Sequence, residues 1–370
     1  MKYLIVMTDS NNVINFRKKF IEFLKCKGHS VVVIAHDEKR KNDIESLGVS
    51  FYCVEQNNRG LNPFSILSYK KRMKSIIKNE HPDVVFTFQL KPNTFGVLAA
   101  KKAGVKNVYS MVEGLGDVFV HNSLKWKIIR FVVCTLYRQA FRYSKKVFFL
   151  NNDDKSEFIA RKLVCKEKCE TVHGIGCDLE HFAYTPIQSN NTFLMIARML
   201  KAKGVMEYCK CARIVKQKYP NAQFNYLGGE GDIKIADIQE YIDNGTICYL
   251  GTTKDVRPYI ENCVLLLLLS SYREGLPMSI MEAESMGRAI ITANSVGCKD
   301  TVVDGYNGFI VDKYDYKKMA ERVIWCIENP KVLEQMGKNA RMFAEEHFDC
   351  EKINRKIYEV INEGFTLTSI

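Results

Sequence analysis

The sequence predicts an α/β chain of two doubly wound domains, and three observations carry that expectation. Apolar segments of strand length alternate with helical patterns along nearly the whole chain, the order that builds parallel sheets from βαβ units. The 370 residues suffice for two domains of ordinary size. A polar stretch at 184–191, with Pro186 inside it, breaks the alternation midway.

In the first half, residues 3–7 read as a strand, 14–27 as a helix stopped by Gly28, and 30–35 as a second strand. A short helical pattern at 39–47 leads to an apolar segment at 50–54. There follow a basic helix at 63–78, a strand at 84–88, a helix at 94–103 and a strand at 107–112. A helix at 124–142, a strand at 146–150, a helix at 156–162 and the pair Thr171-Val172 complete six or seven strands. The second half repeats the rhythm, with strands expected at 192–197, 223–227, 247–250, 264–269, 289–292 and 308–311, and closing helices at 316–328, 331–346 and 350–362. The expected domains are therefore 1–186 and 187–348, with 349–370 a helix packing back toward the first. Two such domains facing each other would share a cleft at the carboxyl ends of their strands, where α/β proteins bind ligands.

Composition narrows the class. Hydrophobic residues at 46%, charged residues at 26% and only 8 prolines describe an ordered globular chain. The opening has too few apolar residues for a signal-peptide core, and the longest strongly apolar run, 264–269, is strand-sized, so the chain is expected to stay in the compartment where it is made. Thirteen cysteines include no C-x-x-C pair, and Cys165, Cys169 and Cys177 lie near His173 and His181 without a metal-site spacing. Reduced thiols and no metal are expected.

The formal charge of +12 sits in the first half, where residues 1–186 carry 31 Lys and Arg against 18 Asp and Glu. Lys70, Lys71, Arg72, Lys74 and Lys78 interleave with Phe64, Ile66, Leu67, Met73, Ile76 and Ile77; Lys125, Lys127, Arg130, Arg138, Arg142, Lys145 and Lys146 interleave with Leu124, Trp126, Ile128, Ile129 and Phe131. Such surfaces can rest on anionic lipid headgroups. They also suit a solvated helix exterior whose apolar positions face the core. A nucleic-acid reading lacks any recognition module or aromatic stacking platform.

Four constellations can carry chemistry. The run Ser270 to Ala283 follows the apolar strand at 264–269, so its polar residues emerge at a strand end. Its Gly275-Leu276-Pro277 turn leads into a helix whose first amides, at Met278 and Ser279, have no intrahelical partner and can receive ligand oxygens. Glu274 precedes the helix and Glu282 lies about one turn into it, so two carboxylates can accept hydroxyls at opposite ends of an elongated ligand. Arg198 and Lys203 leave the strand at 192–197 and bracket a loop suited to two phosphates; alone they could equally form a solvated basic loop. Gly228-Gly229-Glu230-Gly231 lacks the order of either familiar nucleotide motif, so Gly228 and Gly229 are expected to let backbone approach a ligand. Glu113-Gly114 ends the strand at 107–112, where the glutamate could face an acceptor or simply bond local amides.

The residues from Glu274 to Glu282, with Arg198, Lys203 and the preceding leucine-rich strand, resemble the retaining glycosyltransferases of the GT-B architecture, two Rossmann-like domains, and within it the Glu-x7-Glu class (family 4). Asn15-Phe16-Arg17, Lys91-Pro92-Asn93-Thr94-Phe95-Gly96 and Val112-Glu113-Gly114 further resemble bacterial transferases acting on undecaprenyl-diphosphate-linked saccharides, a branch that includes N-acetylgalactosaminyltransferases of protein N-glycosylation. The resemblance implies that Arg198 and Lys203 grip the diphosphate of a UDP-sugar, Glu282 receives ribose hydroxyls, Glu274 contacts the transferred sugar, and amides near 275–278 orient it. Asn15, Arg17, Lys91, Asn93, Thr94 and Gly114 would serve the acceptor side.

It implies no cofactor and no metal, in keeping with the lack of an Asp-x-Asp pair. The implied setting is surface-polysaccharide or glycoprotein-glycan assembly on the cytoplasmic face of an anionic membrane. N-acetylgalactosamine is the first-choice sugar, with other UDP-hexoses and uronic acids open. Two departures stand out: the first loop, Thr8 to Val13, is not glycine-rich, and Glu113 stands where many relatives have histidine. A sugar-nucleotide 2-epimerase and a non-catalytic sugar-nucleotide-binding subunit are the readings of other classes.

Overall fold

The computed structural model describes residues 1–55, 63–120, 123–188 and 190–366. The chain folds as two units, Met1–Ile175 with Glu351–Ile370, and Gly176–Cys350.

Unit 1 runs β1 (Lys2–Val6), α1 (Ser10–Cys26), β2 (Ser30–Ala35), α2 (Lys41–Glu45), β3 (Ser50–Cys53), α3 (Pro63–Glu80), β4 (Val84–Phe88), α4 (Val97–Ala103), β5 (Val108–Val112), α5 (Asp117–Val120), α6 (Leu124–Phe141), β6 (Lys146–Phe149), α7 (Asn152–Ala160) and β7 (Cys169–Thr171). Among the described residues its sheet has seven parallel strands in the order β3-β2-β1-β4-β5-β6-β7. Strands β4 and β5 are buried at every position because helices cover both faces, which is why their sequences run apolar without alternation. The order reverses between β1 and β4, and the carboxyl ends at such a switch point are where the loops part to leave a binding crevice. Val6 lies opposite Thr87, and Phe88 opposite Met111, so Thr8, Gln89 and Glu113, each just past its strand, come to one edge. Asp9 caps α1 by accepting from the Asn11 amide at 2.8 Å, and Asn151 caps α7 by accepting from Asp154 N at 2.7 Å.

Unit 2 runs β8 (Thr192–Ile196), α8 (Val205–Lys218), β9 (Gln223–Leu227), α9 (Ile235–Asp243), β10 (Cys248–Tyr249), α10 (Arg257–Glu261), β11 (Leu265–Leu268), α11 (Met278–Ser285), β12 (Ala289–Ala293), β13 (Gly308–Val311), α12 (Tyr316–Glu328) and α13 (Pro330–His347). Its described strands are parallel in the order β10-β9-β8-β11-β12-β13, with the reversal between β8 and β11. Each unit has its own apolar core. The last helix, α14 (Cys350–Thr366), returns to unit 1, where Tyr109 Oη donates to Ile361 O at 3.0 Å, Lys356 Nζ to Thr171 O at 2.8 Å, and His29 Nε2 lies 3.0 Å from Tyr358 Oη.

Two local expectations shift. The chain leaves unit 1 after Ile175, where the composition change had placed the boundary at 186. Gly176, with φ +84°, lies so close to Cys350 that a Cβ would stand 2.5 Å from its Cα, and Cys177 N donates to Phe348 O at 2.6 Å. Arg288, fully buried, donates to Thr185 O and Oγ1 and to the carbonyls of Ile260, Glu261 and Met286, holding residues around Pro186 to unit 2. The single helix expected at 94–103 instead opens with a π-helical turn, Pro92–Gly96, before α4. Thr94 Oγ1 donates to the carbonyls of Leu90 and Lys91, and the Val97 amide reaches Pro92 O, a wider turn of the kind often found at functional sites.

Candidate active site

In unit 2 the predicted residues gather where β8 and β11 end, at the switch point. After β8 the chain passes Arg198 and makes one tight turn, Lys201–Lys203, closed by Gly204 at φ +82°. A Cβ on Gly204 would stand 2.6 Å from Leu269 O, so this turn lies directly on the end of β11. Ser271 N and Tyr272 N both donate to Ala202 O, at 2.7 and 3.1 Å, tying the two exits together. The consequence is an ion pair between Lys203 Nζ and Glu274 Oε1, with Ser270 Oγ donating to the same oxygen at 3.0 Å. The two side chains are 19% and 12% exposed, shielded enough for the pair to fix its geometry. Arg198 is exposed, and among the described residues its guanidinium has no hydrogen-bond or ion-pair partner.

Gly275, Leu276 and Pro277 are buried, and Met278 and Ser279 half-buried, at the start of α11. Pro277 offers no side-chain cap, and the first helical bonds run from the Ile280 and Met281 amides to Pro277 O, so the Met278 and Ser279 amides precede the helical ladder. The loop after β12 supports this turn from beneath. Gly297, at φ +83°, sits where a Cβ would be 2.6 Å from Glu274 O and 2.7 Å from Gly275 O, and Ser295 Oγ donates to Ser270 O at 2.6 Å.

Glu282 is partly open at its surface, yet its surroundings are dense enough that burial raises its carboxyl from 4.5 to about 7. Two residues on, Glu284 points into the core, wholly buried. Asn307 Nδ2 donates to its Oε1 at 2.7 Å and its Oε2 has no protein partner, and burial drives this carboxyl well above its ordinary range, against the pull of the Asn307 hydrogen bond.

Two of the glycines after β9 make room for neighbouring backbone. A Cβ on Gly228 would overlap Ala197 O at 1.7 Å, and one on Gly231 would stand 2.5 Å from Met199 O. With Met199 N donating to Gly229 O at 2.8 Å, the run extends β9 along the exit of β8 and pins the backbone on both sides of Arg198. Gly229 is less confined, its nearest neighbour being Thr252 Cγ2 at 3.3 Å.

In unit 1, Arg17 on α1 is buried, its guanidinium 4.3 Å above the Phe88 ring, and it pairs with Glu113 Oε1. Burial pulls the Arg17 pKa down and Glu113 pulls it back up. Glu113 Oε2 accepts from Gln89 Nε2 at 2.7 Å, and Gln89 Oε1 accepts from Thr8 N and Oγ1 at 3.0 and 2.8 Å. A continuous polar chain thus joins the carboxyl ends of β1, β4 and β5 to α1. Gln89 holds φ +66° and Gly114 φ +146°, backbone conformations that non-glycine residues rarely adopt.

The other acceptor-side candidates lie apart from this chain. Asn93 is fully buried, bonded to Thr87 Oγ1 and Met111 O, and Thr94 is spent on carbonyls of its own turn, so both hold the π-helical segment in place. Lys91 is buried, which lowers its pKa. Asn15 is exposed and, two helical residues before Arg17, points about 200° away from it.

Two family models divide the chain as its fold does: "Glycosyl transferase 4-like" matches residues 4–151 and "Glycosyl transferases group 1" matches 178–343. The chain is a glycosyltransferase. The transferase is 29% identical over 343 residues to the N,N'-diacetylbacillosaminyl-diphospho-undecaprenol alpha-1,3-N-acetylgalactosaminyltransferase of Campylobacter jejuni, covering 89% of this chain and 90% of the relative. It is 27% identical to the UDP-Gal:alpha-D-GlcNAc-diphosphoundecaprenol alpha-1,3-galactosyltransferase of Escherichia coli, over 80% of each. Anabaena HepE, solved in complex with UDP, shares its fold with a TM-score of 0.81 at 17% identity over the full length of both chains. A glycosyltransferase from Rickettsia africae does so with a TM-score of 0.79 at 19% identity over 98% of each.

Sequence reasoning missed Gln89, Glu284, Ser295 and Gly297. Gln89 and the Ser295-to-Gly297 turn follow strands that had been located, so position past a strand end was the available signal. Glu284 had none, because only the helix phase separates it from Glu282.

Proposed function

We propose that the transferase moves a sugar, N-acetylgalactosamine first, from its UDP derivative to a hydroxyl of an undecaprenyl-diphosphate-linked saccharide, with retention of anomeric configuration. The observation that carries the donor side is the junction of Lys203 with Glu274 beside the start of α11, close to the solvent-facing Arg198 on the same strand exit. As the anomeric bond weakens, charge grows on the departing diphosphate. Arg198, Lys203 and the Met278 and Ser279 amides stabilise that charge more than the ground state, which lowers the barrier. Glu274 is aimed by Lys203 and Ser270 toward the transferred sugar, and Glu282 accepts the ribose hydroxyls. These cations stand in for a metal, so turnover should persist in excess chelator.

Glu113 orients the acceptor hydroxyl. Each of its oxygens already accepts one hydrogen bond and retains a further lone pair. Retention then follows from attack on the face the diphosphate leaves, since Glu282 is committed to ribose and unavailable as a nucleophile. The substrates named for the Campylobacter and Escherichia relatives support a lipid-diphosphate acceptor, and the latter's UDP-galactose makes galactose the second donor. The setting we assign is the cytoplasmic face of an anionic membrane, in the assembly of surface polysaccharide or glycoprotein glycan.

A panel of UDP-N-acetylgalactosamine, UDP-galactose, UDP-N-acetylglucosamine, UDP-glucose and a UDP-uronic acid, offered with a lipid-diphosphate-linked monosaccharide, tests this directly. An α-linked product from the first donor is expected, and Arg198→Ala should lower kcat by about 100-fold or more with a smaller change in UDP affinity. Transfer from none of the five, or a β-linked product, overturns the reading.

A further inference from the structure

The helix α6 has two apolar faces. One is the ordinary core face, made by Val133, Cys134, Tyr137, Ala140 and Phe141. The other looks outward: Leu124 is 75% exposed, Ile128 59%, Phe131 70% and Val132 40%. Their spacing of four, three and one residues places them on a single stripe, about 12 Å long at the rise of an α-helix. An outward helix face in water is ordinarily polar, so a stripe of four large side chains marks a surface that meets something apolar.

The stripe is confined to one end. α6 begins at the carboxyl edge of the unit 1 sheet, after Glu113 and α5, and its first turns carry the stripe; farther on, the same face turns polar with Thr135, Gln139 and Arg142. Lys125 and Lys127, both exposed, flank it on either side, and α6 contains no acidic residue. α4 packs against both α3 and α6. Those three helices carry eleven Lys and Arg against one acid, Glu80, so the partner must be negative as well as apolar. On α3, Leu67 is likewise 65% exposed among Lys70, Lys71 and Lys74. A second copy of the chain would set this basic face against its own like charges. A bilayer with anionic headgroups offers apolar depth and negative charge together.

We infer that the first half of α6 lies in the interface of an anionic bilayer, Leu124, Ile128, Phe131 and Val132 inserted below the headgroups and Lys125 and Lys127 on their phosphates. The inference rests on the proposed lipid-linked acceptor and deepens it. Insertion at this end holds the sheet edge bearing Glu113 beside the surface from which such an acceptor emerges.

Co-sedimentation with vesicles of phosphatidylglycerol and phosphatidylcholine, against phosphatidylcholine alone, reads the attachment. A second assay reads turnover on an acceptor whose lipid is short enough to be water-soluble. The wild type should bind the anionic vesicles, and the double variant Ile128→Ser with Phe131→Ser should bind about tenfold more weakly with unchanged thermal unfolding and unchanged turnover on the soluble acceptor. Lys125→Ser with Lys127→Ser should narrow the gap between anionic and neutral vesicles. Equal vesicle binding by the wild type and the apolar double variant overturns the insertion, as does a wild type that ignores vesicles but dimerises through this stripe. In either case turnover on the soluble acceptor survives, whereas failure of the transferase reading itself appears as lost turnover with attachment intact.

Discussion

Glu282 and Glu284 stand two residues apart on α11, and the helix turns them to opposite sides, Glu282 half-buried and Glu284 wholly in the core. Both carboxyls are raised by burial. A carboxyl whose folded pKa exceeds its unfolded one binds its proton more tightly in the native state, so it costs stability as pH rises. For Glu282 that cost grows from about pH 4.5 and is complete above about pH 7. Glu282→Gln should therefore stabilise the protein by up to about 3 kcal/mol at pH 8 and by almost nothing at pH 4, read by urea unfolding at the two pH values. The same titration should be visible in binding. In the proposed role of Glu282 the carboxylate accepts both ribose hydroxyls, so wild-type UDP affinity should rise through pH 7, while calorimetry on Glu282→Gln should give a weaker affinity lacking that component. The Glu274-to-Glu282 spacing was plain in the sequence, but the perturbed acidity depends on what surrounds the helix.

At the scale of elements, the candidate site of unit 2 is built from strand exits pressed against one another. Gly204 lies on Leu269, Gly228 on Ala197, and Gly297 on Glu274. Each contact is backbone on backbone, so no side chain can rotate away to admit a Cβ. Gly228→Ala should destabilise the protein by about 2 kcal/mol or more and weaken UDP binding, because the displaced Ala197 carries Arg198 with it. Gly229→Ala, facing only a threonine methyl at 3.3 Å, should be tolerated far better, and thermal unfolding of the two variants makes the comparison. Glycines were visible as breaks after strands, but which neighbour each one accommodates comes from strands distant in sequence. Asn93 and Thr94 teach the converse: polar residues in a strand-end turn resembled acceptor contacts, and the fold consumes their hydrogen-bonding groups in shaping the π-helical turn.

At the scale of the whole molecule, α14 begins in unit 2 and ends on unit 1, where Ile353, Ile357 and Ile361 are buried. Ending the chain after Cys350 would uncover the surface beneath those three side chains and remove the bonds of Tyr109 to Ile361 and His29 to Tyr358. Burial of each isoleucine contributes about 2 kcal/mol, a large share of a domain's net stability. Calorimetry of the shortened chain should show unit 1 melting earlier than unit 2, and UDP binding to unit 2 should persist. A single unchanged transition would contradict this account.

The sequence by itself determined the alternation of strands and helices, the two domains and the strand ends that bear Glu113, Arg198, Lys203, Glu274 and Glu282, because periodicity and local spacing are properties of neighbouring residues; the likeness to GT-B glycosyltransferases rested on the run from Glu274 to Glu282. Tertiary structure alone decided that Lys203 meets Glu274, that Gln89 and Arg17 hold Glu113, that Glu284 is buried in the core, and that α6 turns a second apolar face outward. Each of those outcomes depends on strand register and on burial by segments far along the chain, and burial sets both the charge a carboxyl can keep and the apolar surface a helix leaves uncovered.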